Sequence, residues 1–125
     1  MGLFMARGNI LLIDDDETVR VFLQDYFEDR DFNIEIASDG IEGVEKFEKG
    51  NFDLILCDIL MPKMMGLEVL RRIKSLKSSS RIIMLTSVKE GSLMQKAKEL
   101  GCTLYLNKPI HLTDLEAKVL ECFPS

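Results

Sequence analysis

The sequence predicts an α/β domain: a doubly wound, five-stranded parallel sheet with helices on both faces. Three observations lead there. Short apolar runs alternate with helical patterns five times along 125 residues. The main runs, ILLI, LILC and IIML, are apolar throughout rather than at every second position, as strands covered on both faces are. Each run is joined to the next through a helical segment, the connection that a right-handed parallel crossover needs.

The elements follow in order. Residues 1–8 read as an N-terminal tail, and 9–125 as a single domain with no further domain behind it. Ile10 to Asp14 forms the first strand, and Val19, Phe22, Leu23, Tyr26 and Phe27 then share one face of a first helix. Asn33 to Ala37 is the second strand, after which Asp39-Gly40 leads into a helix with Ile41, Val44 and Phe47 on its apolar side. Phe52 to Asp58 is the third strand, followed by the loop ILMPKMMG and a helix from about Leu67 to Leu76. Ser78-Ser79-Ser80 closes that helix, and Arg81 to Thr86 is the fourth strand. Leu93, Met94, Ala97 and Leu100 mark a fourth helix, which Gly101 is suited to end. Thr103 to Leu106 is the fifth strand, and Leu112, Leu115, Val119, Leu120 and Phe123 stripe the last helix.

Composition excludes several classes. A chain of this length buries roughly two thirds of its unfolded surface around one core without staples. Its three cysteines, Cys57, Cys102 and Cys122, are odd in number and lack a C-x-x-C spacing, which predicts reduced thiols, a cytoplasmic setting and no structural zinc. Apolar runs are too short to span a membrane, and MGLFMA lacks the serine or threonine of a myristoylation signal. A formal charge of −5 with no basic stripe argues against direct nucleic-acid binding.

Chemistry gathers at strand ends. Asp14-Asp15 closes the first strand, Asp58 the third, and Lys108 follows the fifth. In a parallel sheet the carboxyl ends of the strands form the ligand crevice, so these separated residues can converge. Two carboxylates about 4 Å apart repel by roughly 4 kcal/mol at an effective dielectric of about 20, so three together call for a cation. Oxygen-only donors at that density suit a hard divalent ion, above all Mg2+, and with it phosphate chemistry.

ILLIDDDETVR, DLILCDILMPKMMG, MLTS and YLNKP stand in that order, and together they resemble the receiver domain of bacterial two-component response regulators. The resemblance covers residues 9 to 123 and implies the CheY-like, flavodoxin-like strand order 2-1-3-4-5. It implies that Asp58 accepts a phosphoryl group from a phosphohistidine. Asp15 would ligate Mg2+ directly with Asp58 and the backbone carbonyl of Leu60, and Asp14 through a coordinated water. Lys108 and the Thr86 hydroxyl would meet the phosphoryl oxygens, and the Lys108–Pro109 bond would be cis. Thr86 and Tyr105 would form the switch that reshapes the face of the fourth helix, fifth strand and fifth helix. The implied partners are a sensor histidine kinase or a histidine phosphotransfer protein and a downstream protein. The implied state is a monomer or weak phosphorylation-dependent dimer, a signalling switch rather than a turnover enzyme.

Departures from the family pattern add expectations. Met65 stands where a capping Asp, Asn or Ser is common, so the third helix loses a cap. His111 takes a surface or capping role at the start of the last helix. Leu60 and Val88, two residues beyond Asp58 and Thr86, are apolar and cannot orient an attacking water, so the phosphorylated form is expected to be long-lived. The alternative reading is enzymatic: Asp14-Asp15-Asp16-Glu17-Thr18 fits the D-x-D-x-T signature of haloacid-dehalogenase-like phosphatases, with Asp14 as nucleophile. A flavin module on the same architecture is disfavoured, because the acidic first loop would repel a phosphate.

Overall fold

The computed structural model describes residues 6–76, 79–87 and 91–123. Strands and helices alternate along the chain as β1 (Asn9–Ile13), α1 (Glu17–Glu28), β2 (Asn33–Ala37), α2 (Gly40–Lys49) and β3 (Leu54–Asp58). They continue as α3 (Gly66–Ser75), β4 (Arg81–Thr86), α4 (Gly91–Glu99), β5 (Leu104–Asn107) and α5 (Leu112–Glu121). The sheet has the order β2-β1-β3-β4-β5, with every neighbouring pair parallel. Both the class and the order agree with expectation. Strand addition reverses between β1 and β3, which opens the crevice at their carboxyl ends.

The core lies in two layers because side chains alternate across each central strand. Leu11, Ile13, Ile55, Cys57, Ile82 and Met84 face α2, α3 and α4 through Val44, Val69, Leu70, Ile73 and Ala97. Ile10, Leu12, Leu54, Leu56, Ile83 and Leu85 face α1 and α5 through Leu23, Phe27, Leu115 and Val119.

Two residues expected on apolar helix faces point outward instead: Phe22 is 53% and Ile41 43% exposed. α1 meets the sheet along the narrow stripe of Leu23 and Phe27, and Phe22 falls at its margin. In α2 the inner face is Gly40, Gly43 and Val44, so glycines rather than isoleucine carry it. A Cβ on Gly43 would lie 2.5 Å from the Ile13 Cδ1, closer than real contacts allow.

Helix ends follow local chemistry. The Asp16 Oδ1 accepts from the Thr18 and Val19 N–H groups and caps α1, and Asp39 caps α2 by accepting from the Glu42 N–H at 2.8 Å. Met65 and His111 occupy the caps of α3 and α5 without a side-chain hydrogen bond, as expected for Met65. α4 ends in a Schellman turn: Gly101 has φ +98°, its N–H donates to Lys98, and the Cys102 N–H donates to Ala97. Residues 1–5 of the expected tail, Ser78 of the serine stretch and Val88 lie outside the described residues. Arg7 and Gly8 are tied to the sheet edge, the Arg7 N–H donating to the Asp31 carbonyl and the Gly8 carbonyl accepting from Asn33. Among the described residues no helix is long and apolar enough to cross a membrane.

Candidate phosphoacceptor site

β1 delivers Asp14 to the crevice, fully buried and held on all sides. Its N–H donates to the Ala37 carbonyl at 3.1 Å, and its Oδ1 accepts from the Asp16 N–H at 2.9 Å. Its carbonyl accepts from the Arg20 Nη1 at 2.7 Å. β3 delivers Asp58, 7% exposed, whose Oδ1 accepts from the Leu60 N–H at 3.3 Å. Lys108 comes from beyond β5, with its N–H on the Thr86 carbonyl at 2.7 Å and a cis bond to Pro109, as expected. Its Nζ donates to the Asp14 Oδ2 at 2.9 Å and to the Asp58 Oδ2 at 3.4 Å.

Carboxylate oxygens of Asp14, Asp15 and Asp58 lie within 4.8 Å of one another, with Asp15 exposed and the other two buried. Three anionic oxygen donors with no nitrogen or sulfur fit a hard divalent cation. Burial raises the Asp58 carboxyl above the usual range; Lys108 opposes that rise and Asp14 adds to it. For Lys108, burial favours the neutral amine, but the hydrogen bond and charge of Asp14 and the charge of Asp58 carry it above the ordinary lysine value. The neighbouring Cys57 thiol is pushed far up by burial, so it is no nucleophile at neutral pH.

The loop after β3 closes tightly on Asp58. The Gly66 N–H donates to the Ile59 carbonyl at 2.8 Å, and a Cβ on Gly66 would lie 2.1 Å from the Asp58 carbonyl oxygen. Only glycine fits there. Lys63, at φ +69°, reaches back to the Asp39 Oδ2 at 3.3 Å and ties the loop to the cap of α2. Thr86 is fully buried at the end of β4 and pairs with Asn107 in register, and Tyr105 is half-buried opposite Met84. Leu60 is 43% exposed at the rim. Beside the acids, α1 and α5 flank an apolar groove of about 610 Å³ lined by Phe22, Leu23, Pro109, Ile110, Leu112 and Leu115.

Every expected site residue among those described comes to this end of the sheet. The Arg20 contact with the Asp14 carbonyl is one that sequence reasoning passes over. Its signal was faint: a cation in the first turn of a helix, where the helix dipole disfavours positive charge.

A doubly wound sheet that gathers three carboxylates and a lysine at its switch point defines a phosphoacceptor signalling module. The chain matches the response regulator receiver domain over residues 10–120 and belongs to that family. Sporulation initiation phosphotransferase F of Bacillus subtilis is 29% identical over 120 residues, 96% of this chain and 97% of that protein. Chemotaxis protein CheY of Halobacterium salinarum is 35% identical over 105 residues, 84% and 87% of the two chains. The CheX–CheY–BeF3–Mg2+ complex from Borrelia burgdorferi superposes with a TM-score of 0.88 at 29% identity, covering 94% of this chain and 90% of that one. Other curated relatives are longer, and the chain spans about half their length. Receiver domains are signalling switches of two-component systems. The phosphatase alternative is not supported: Asp14 is fully buried, and both its carboxylate oxygens are taken by Lys108 and the Asp16 N–H.

Proposed function

We propose that Asp58 is the phosphoacceptor of a two-component relay. The observation that carries this reading is one cluster: three carboxylates within 4.8 Å and Lys108 bridging two of them. An Asp58 oxygen attacks the phosphorus of a phosphohistidine; the P–N bond breaks, and its electron pair returns to the imidazole nitrogen, which takes a proton. Asp15, Asp58 and the Leu60 carbonyl would hold Mg2+, and Asp14 would act through a coordinated water. When bound, Mg2+ offsets the negative charge of nucleophile and phosphoryl oxygens together. Lys108 then turns to the phosphoryl group from the other side, and the Thr86 hydroxyl donates to a remaining oxygen.

The switch follows from that donation. Thr86 moves toward the phosphoryl group, Tyr105 takes the vacated space, and the face of α4, β5 and α5 changes for a downstream protein partner. A sensor histidine kinase or histidine phosphotransfer protein supplies the phosphoryl group, docking beside the apolar groove of α1 and α5. Residues 9–125 act as the receiver unit in the cytoplasm, as a monomer or a weak phosphorylation-dependent dimer. The domain dephosphorylates itself slowly and does not turn over, since Leu60 offers no group to orient water.

Incubation with acetyl phosphate and Mg2+, followed by intact-mass spectrometry, tests the reading. The wild type gains one phosphoryl mass that decays slowly, and Asp58→Asn gains none. Uptake by Asp58→Asn, or none by the wild type, overturns it.

A further inference from the structure

We propose that Arg20 is a positioning residue for the acid cluster: from the first turn of α1 its guanidinium fixes the Asp14 carbonyl and so presents Asp15 to a divalent cation. This rests on the reading of Asp14, Asp15 and Asp58 as the cation site. Among the described residues, no side-chain hydrogen bond or ion pair holds Asp15, which is exposed. Its direction is set by its backbone, between Asp14 and Asp16. That backbone is closed into a ring by Arg20 twice over. The Arg20 Nη1 donates to the Asp14 carbonyl at 2.7 Å, and the Arg20 N–H donates to the Asp16 carbonyl at 3.0 Å. The Asp16 N–H completes the ring on the Asp14 Oδ1 at 2.9 Å.

Charge alone argues against a cation at this place. A guanidinium beside three carboxylates repels an incoming divalent ion, and a helix start disfavours positive charge. Among the described residues Arg20 forms no ion pair with any of the three acids, so its charge is not spent on neutralising one. What it supplies is a charged donor to a buried carbonyl, the strong kind of hydrogen bond, at the hinge of the metal loop. Partners of this outer kind tune a metal site through the orientation of its ligands.

The two effects have opposite signs, which makes the proposal testable. Mg2+ titration of the full chain by calorimetry compares wild type, Arg20→Met and Arg20→Gln, with thermal melts in EDTA recording stability separately. Loss of positioning weakens Mg2+ binding by about tenfold in Arg20→Met, although a positive charge has been removed. Unchanged or tighter binding overturns the proposal, because repulsion was then the larger effect. If Arg20→Met does not fold, Arg20→Gln is read by the same criterion. In an Asp15→Asn background the Arg20 substitution adds little further loss, and full additivity overturns the coupling. A wild type that binds no Mg2+ overturns the cation site itself, an outcome visible in the first titration alone.

Discussion

Asp58 is a carboxylate kept where its charge is least welcome. Burial lifts its ionisation above the usual range even though Lys108 lies 3.4 Å away. A carboxyl raised on folding favours the folded state only when protonated, so its contribution is lost as pH rises through its folded value. At neutral pH, in the absence of metal, the ionised group therefore destabilises the fold. Asp58→Asn is expected to raise the Tm by a few degrees in EDTA near pH 7, with the gain fading as pH falls and the wild-type carboxyl takes up its own proton. Melting curves across pH check this, and a lowered Tm at neutrality contradicts it. At this scale the acids and Lys108 were legible because each charge interrupts an apolar run. Arg20 and Gly66 were not: one acts through a long side chain on a backbone carbonyl, the other through the absence of a side chain beneath the Asp58 carbonyl.

Among the elements, α3 starts without help. Met65 sits at its cap with extended backbone, φ −66° and ψ 149°, the geometry in which aspartate accepts from the first-turn N–H groups. Met65→Asp is expected to stabilise the domain by about 1 kcal/mol, measured by urea denaturation, while leaving phosphoryl uptake in place. No gain in the denaturation midpoint would mean that the loop already satisfies those donors. Strands were read best, since unbroken apolar runs such as ILLI and IIML have few other uses in a chain this short. Helix faces are less legible: α2 approaches the sheet through Gly40 and Gly43, which carry no hydropathy signal, while the apolar Ile41 faces outward.

For the molecule as a whole, the three clustered carboxylates repel one another, and a cation bound among them would relieve that repulsion. Any ligand that binds only the folded state stabilises it by mass action, by about 2.7 kcal/mol at a hundredfold excess over its dissociation constant. Saturating Mg2+ is thus expected to raise the Tm by several degrees, and Asp15→Asn to lose most of that gain while its Tm in EDTA stays close to wild type. Differential scanning calorimetry with and without Mg2+ reads both, and equal shifts in the two proteins contradict a direct role for Asp15. The architecture was legible as a whole because five alternations of strand and helix leave one economical way to cover both sheet faces.

β4, like β1 and β3, is a strand on which the two halves of the interior touch. Ile82 and Met84 belong to the layer under α2, α3 and α4, while Ile83 and Leu85 belong to the layer under α1 and α5. The strand is a party wall, and Thr86 is its last brick. If phosphorylation displaces Thr86 as proposed, the pull would fall on a strand shared by both rooms, and opposite sides of the molecule would be within its reach.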